Sequence, residues 1–166
     1  MTEAALESEV SKKLSSQFST FTIGDCVYGI EVMRVQEITK PMSMTEVPLA
    51  PRYVRGLINL RGQIATAICL RSLFQIQGEV PAEQMNVICR VDSLLLSFLV
   101  DRIGDVVEVA QNIFESPPDT VPESVRRYME GVYKVSNSLL SIINVDKIAS
   151  SFGSSETAPG DEAGKA

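Results

Sequence analysis

Any chemistry this chain performs is performed without histidine, which is absent from its 166 residues. A Ser-His-Asp triad, a Cys-His pair, a histidine-ligated metal and a phosphohistidine are thereby excluded. The thiols are Cys26, Cys69 and Cys89, an odd number with no CxxC spacing. A structural zinc asks for about four ligands, so no metal site is expected, and the cysteines read as reduced, buried thiols. Asp25, Asp92, Asp101 and Asp105 invite a phospho-acceptor reading. A receiver domain needs its acidic cluster at strand ends of a βαβ sheet, and no such alternation is present, so turns and strand ends describe them better. With no GxGxxG and no P-loop lysine either, the chain is expected to be no enzyme and to carry no cofactor.

The side chains left for recognition are few. Arg61 lies in the run Asn59-Leu60-Arg61-Gly62 and offers five donors in a planar, permanently charged fork. Gly62 admits a positive φ in a tight turn, and Asn59 is able to bond nearby backbone. Glu37 stands between Val35 and Ile38. Taken alone, Arg61 also admits the reading of a solvated turn arginine, and Glu37 that of an exposed strand carboxylate.

Composition narrows the partners. Lys+Arg number 15 against 21 Asp+Glu, a net charge of −6, which argues against a general nucleic-acid or anionic-membrane binder. Tryptophan is absent and aromatics make up 6%, which disfavours base or sugar stacking platforms. The 45% hydrophobic and 22% charged content suits a soluble globular domain. The acidic N-terminus has no apolar segment of signal-peptide type. The longest apolar stretch, Leu94 to Val100, is interrupted by Ser97, far short of the ~20 residues that span a bilayer. A cytoplasmic location is expected.

The elements that must position these residues follow mostly a period of two. Phe18 to Ile23 reads as a strand, Gly24-Asp25 as a turn and Val27 to Ile30 as a second strand. Val32, Val35 and Ile38 suit a bent strand or a helical turn. The stretch from Pro41 to Pro51, with Pro48 between, is a loop. Gly56 to Leu60 and Gln63 to Leu70 form a hairpin about Arg61-Gly62, and Arg71 to Phe74 a short helix. Residues 1–16 and 150–166 read as flexible tails, with Glu7 to Leu14 able to make a short helix.

An internal repeat organises the folded part. Tyr53 to Leu60 aligns with Tyr128 to Val135, and Ile64, Ile68, Leu70 and Leu73 with Leu139, Ile143, Val145 and Ile148, all 75 positions apart. Upstream, Ile30, Val32, Arg34, Val35, Glu37 and Ile38 align with Phe98, Val100, Arg102, Ile103, Asp105 and Val106, all 68 apart. The extra residues fall in the loop 107–127, matched to 39–52. Two copies of one unit leave such a pattern, and a unit of ~60 residues is marginal alone. The expected architecture is all-β, two small barrels sharing a hydrophobic seam, within a domain of 17–149 whose halves are about 17–80 and 81–149.

The runs Phe21-Thr22-Ile23-Gly24-Asp25, Tyr28-Gly29-Ile30-Glu31-Val32, Val35-Gln36-Glu37-Ile38, Pro48-Leu49-Ala50-Pro51 and Gly56-Leu57-Ile58-Asn59-Leu60-Arg61-Gly62 resemble the CheW family of bacterial chemotaxis coupling proteins. Val100-Asp101 with Val106, and Tyr128 with Gly131, extend the resemblance over 18–149. It implies two intertwined five-stranded SH3-like barrels with short helices. It implies a non-catalytic adaptor between the cytoplasmic tip of methyl-accepting chemoreceptors and the regulatory domain of the histidine kinase CheA, recruited to membrane-bound receptor arrays. It makes Val35, Glu37, Asn59, Leu60, Arg61 and Gly62 candidates for the receptor face. Ile38, Met42 and Met44 become candidates for the kinase face, loop methionines being adaptable apolar contacts. The sequence departs from the family at Thr66, Cys69 and Ser97, where proline, aspartate and glycine are usual. The competing reading, a small-ligand barrel, requires a pocket with convergent polar groups.

Overall fold

A computed structural model describes residues 15–110 and 113–152. Strands dominate. In chain order they are β1 (Ser15–Ile23), β2 (Cys26–Glu31), β3 (Val35–Thr39), β4 (Val54–Leu60) and β5 (Gln63–Cys69), then β6 (Met85–Val91), β7 (Leu94–Val100), β8 (Arg102–Ala110), β9 (Phe114–Glu115), β10 (Met129–Val135) and β11 (Ser138–Ile143). A 3-10 turn, Val32–Arg34, separates β2 from β3, so the irregular spacing there was a helical turn followed by a strand. Short helices are α1 (Leu70–Leu73) and α2 (Glu123–Arg126), and residues 145–152 form α3.

The strands divide into two sheets ordered β8-β1-β2-β11-β10-β9 and β3-β6-β7-β5-β4. Neither sheet comes from one half of the chain. Each takes the first two strands of one repeat and the last three of the other; the first adds the two-residue β9. The exchange is joined by parallel pairings, β11 on β2 and β5 on β7, whose registers are equivalent: Ser141 faces Tyr28 and Thr66 faces Leu96. The bulges repeat too, between Val54 and Gly56 on β4 and between Met129 and Gly131 on β10. Gly56 is there because a Cβ would lie 2.6 Å from the Thr45 carbonyl oxygen. Thr45 and Leu57 exchange backbone hydrogen bonds of 2.9 and 2.7 Å, a close approach that only glycine permits.

The core explains the alternation and its exceptions. One large cluster joins both sheets, with Phe21, Tyr28 and Ile30 packed among Ile68, Phe98 and Val100 and under Leu70, Phe74 and Ile148. Smaller clusters fill each barrel, Ile58, Leu60, Ala65 and Leu99 in one, Phe18, Val109, Tyr133 and Leu140 in the other. Strand β7 is buried from Leu95 to Val100 because it is central and covered on both faces, which is why its sequence runs apolar rather than alternating.

Two sequence expectations shift. The thiols are not all buried: Cys69 and Cys89 are, but Cys26 is exposed at the start of β2. Burial drives the Cys89 thiol up to about 12. The tail placed from 150 onward begins later, since α3 runs through Phe152, 8% exposed and edge-on to Tyr53 with ring centroids 5.4 Å apart. A single aromatic after two serines is enough to dock the last turn. Ser15 and Ser16, expected in the N-terminal tail, instead begin β1 and pair with Ala110 and Val109 of β8; the expected helix at 7–14 and the other tail residues, 1–14 and 153–166, lie outside the described residues.

Candidate functional site

The β4–β5 hairpin turns on two residues, with Leu60 opposite Gln63. Arg61 has φ 51° and Gly62 φ 87°, the mirror-type turn whose twist matches a hairpin. The bend therefore rests on both residues, not on Gly62 alone. Asn59 Oδ1 accepts the Gly62 N–H at 2.9 Å, so Asn59 serves the turn. Leu60 is 5% exposed, a floor beneath the turn.

This geometry lifts Arg61 to the rim, its side chain 76% exposed. Its Nη2 donates to Glu37 Oε1 and Oε2 at 2.5 and 2.7 Å, while the Glu37 side chain is only 23% exposed. β3 and β4 are the two edge strands of their sheet, so this ion pair closes the barrel where no backbone ladder does. The pairing leaves the Nε and Nη1 protons of Arg61 facing solvent. Val35, at the start of β3, lies half-buried against the main core.

Other residues of the rim escaped the sequence reading. Arg90 on β6 donates from Nε to Gln36 Oε1 at 3.1 Å and from Nη2 to Gln63 Oε1 at 2.7 Å, a second clasp across the same gap. Ile64, 56% exposed, follows at the base of β5. Arg90 is the one charge inside an apolar β-run, which was the available signal. The pairing of Gln36 and Gln63 with it had none, since they lie 54 and 27 positions away.

A second surface starts on the same strand. Side chains alternate along β3, and Ile38 is 39% exposed next to Glu37. Met44 is 44% exposed, whereas Met42 packs half-buried on the barrel interior. The two methionines flank a groove of about 240 Å³ that Pro41, Gln84, Asn86 and Leu99 complete. Buried polar bonds fix its wall: Ser97 Oγ donates to Asn86 Oδ1 at 2.8 Å, and Asn86 Nδ2 to the Lys40 carbonyl at 3.0 Å. Ser97 thus does at this position what a glycine would not.

Asp101, one of the flagged aspartates, is structural. It meets Arg71 at 2.5 Å with side chains 9% and 6% exposed, accepts the Gly24 N–H at 2.8 Å and the Gln84 amide at 3.3 Å. Burial pushes its carboxyl up, but these donors and the Arg71 charge outweigh burial and hold it below the ordinary value. At Cys69, burial likewise raises the thiol, and hydrogen bonds from Ser72 and Arg55 more than reverse it.

Comparison with known proteins agrees with this architecture. The family profile described as CheW-like domain matches residues 17–152. The chemotaxis protein CheW of Treponema pallidum (strain Nichols) is 34% identical over 140 residues, covering 81% of this chain and 82% of that protein. The chemotaxis protein CheW of Helicobacter pylori is 31% identical over 133 residues, covering 80% of each. The crystal structure of the scaffolding protein TtCheW from Thermoanaerobacter tengcongensis superposes with a TM-score of 0.70 at 27% identity, over 77% of this chain and 88% of that one.

Proposed function

The chain belongs to the CheW-like domain family, and on that premise we propose how the barrel of β3-β6-β7-β5-β4 holds two partners at once. It is a chemotaxis coupling adaptor, not an enzyme, and associates with chemoreceptors and the kinase CheA. The receptor tip takes the rim of Val35, Glu37 and Arg61, on the turn that Asn59, Leu60 and Gly62 shape. The kinase regulatory domain takes Ile38, Met42 and Met44.

One observation supports this assignment: alternation along a single edge strand turns neighbouring residues to opposite faces, with Glu37 engaged with Arg61 at the rim and Ile38 exposed on the other side. An exposed strand edge flanked by apolar side chains is a docking point for another barrel. A guanidinium held by one carboxylate, with three N–H donors free, is preorganised to bond carbonyls or carboxylates on a helix hairpin. Val35 and Ile64 supply apolar contact beside it. Glu37 fixes Arg61 in place before binding, so less side-chain freedom is lost when the partner arrives. With both surfaces on one rigid strand, binding one partner turns capture of the other into a local event at high effective concentration.

The test is reconstitution of receptor, kinase and adaptor with ATP consumption as the readout. Both variants should lose receptor control, but by different routes seen in direct titrations: Glu37→Lys should weaken receptor binding and spare kinase binding, and Met44→Asp should weaken kinase binding and spare receptor binding. If both variants weaken the same partner, the two-surface assignment fails. If omitting the adaptor leaves receptor control intact, the coupling role itself fails.

A further inference from the structure

The internal repeat brings two Arg-Tyr pairs together on a surface far from the rim. Arg52-Tyr53 precedes β4 and Arg127-Tyr128 precedes β10, at equivalent positions 75 apart. Their backbones are tied alike, since Cys69 N–H donates to the Tyr53 carbonyl at 2.7 Å and Asn144 N–H to the Tyr128 carbonyl at 2.8 Å. Tyr53 and Tyr128 line one groove of about 190 Å³, together with Arg127 and Ser72. Arg52, Arg55 and Ser72 line the adjoining larger one, with Glu46 as its acidic member. Ser72 is common to both, so the two grooves adjoin along the seam. Tyr53 and Arg61 flank opposite ends of β4, seven residues long, about 26 Å apart at ~3.3 Å per residue.

The charges here are not spent within the fold. Among the described residues no carboxylate lies within ion-pair distance of Arg52, Arg55 or Arg127. Arg55 bonds only neutral atoms, Ser72 Oγ at 3.3 Å and Cys69 Sγ at 3.8 Å. Nearby Arg126, by contrast, is paired with Asp119 and Glu123. In a chain of net charge −6, three guanidiniums without an ion-pair partner, Arg52 and Arg55 in one groove and Arg127 in the groove that shares Ser72 with it, form a local positive field against an acidic background. Such a field attracts and orients an anionic partner, and guanidinium forks suit carboxylates.

We propose that this seam is a third docking surface, distinct from the receptor and kinase faces, and that its occupant is an acidic peptide segment of a partner protein. Arg52 and Arg127 grip carboxylates from the two sides of the trough, and Arg55 adds a third contact.

The test titrates the full ¹⁵N-labelled chain with an acetylated, amidated hexaglutamate peptide, with hexaglutamine as control. Hexaglutamate should shift the amides of residues 52–55, Ser72 and 127–128, and salt should weaken this about tenfold between low and high ionic strength. Hexaglutamine should not shift them. The pair Arg52→Gln and Arg127→Gln should remove the response, with Lys40→Gln plus Arg102→Gln retaining it. Equal response in both double variants, or shifts spread over all cationic residues, would overturn the proposal. So would shifts at the seam that grow with protein concentration in the absence of peptide, which would make a second copy the occupant.

Discussion

Replacing Arg61 separates binding from folding. Its side chain is 76% exposed and its one ion pair joins Glu37 at the surface, where such pairs contribute ~0.2–1 kcal/mol. Arg61→Ala keeps the positive φ and loses only that pair. Arg61→Gly also relieves a left-handed backbone at φ 51°, a relief of ~1 kcal/mol that the greater freedom of glycine in the unfolded chain offsets by ~0.5–1 kcal/mol. Both variants should therefore fold within about 1 kcal/mol of wild type, a shift of roughly 4 °C in Tm or less. Loss of an arginine anchor at an interface costs ~2 kcal/mol or more, about thirtyfold in affinity at ~1.4 kcal/mol per decade. Arg61→Lys should recover part of it, keeping charge but not the fork. Glu37→Gln combined with Arg61→Ala should be non-additive, because the carboxylate acts by holding the guanidinium. The assay titrates a receptor tip fragment and the kinase regulatory domain against each variant, with melting curves alongside. Equal losses for both partners, accompanied by a fall in Tm well beyond that range, would show Arg61 to be a structural residue and refute the argument.

Asp101→Ala should destabilise by ~3–5 kcal/mol, because it strands a guanidinium 6% exposed and removes the acceptor of the Gly24 N–H; chemical denaturation measures it, and a loss under ~1 kcal/mol would contradict the buried pair. Since the Asp101 pKa is depressed in the fold, its contribution is complete above the ordinary value of 3.8 and disappears as pH falls through the folded value; the acid limb of stability should be shallower in Asp101→Asn. Leu49, at φ 63° and 105% exposed, spends strain without packing, so Leu49→Gly should relieve ~1–2 kcal/mol, offset by ~0.5–1 kcal/mol through glycine's freedom in the unfolded chain, and leave Tm equal or slightly raised; a lowered Tm would contradict it. Fragments 17–80 and 81–149 expressed separately should give no cooperative unfolding transition, because each contains strands of both sheets and completes neither.

The strands of the first copy, the Arg61-Gly62 hairpin, the scarcity of helix and the duplication were legible in the sequence because each is a local or self-similar property. Alternation marks a half-buried strand wherever it folds, and Tyr53 to Leu60 repeats as Tyr128 to Val135 whatever the chain does between. What only tertiary structure decided is which copy completes which barrel. Parallel pairings of β5 with β7 and of β2 with β11 join segments tens of residues apart, and no periodicity encodes that choice. The same holds for side-chain partners. Glu37 and Arg61 were each visible as recognition residues, but their pairing across 24 positions, like the clasp of Arg90 and the sharing of Ser72 by the grooves of Arg52 and Arg127, exists because barrel closure and pseudo-symmetry bring edges together. Burial decided the remainder: Leu60 and Asn59 belong to the same motif as Arg61, yet one is turned into the core and the other is spent on its own turn, since a hairpin can present only its outward residue to a partner.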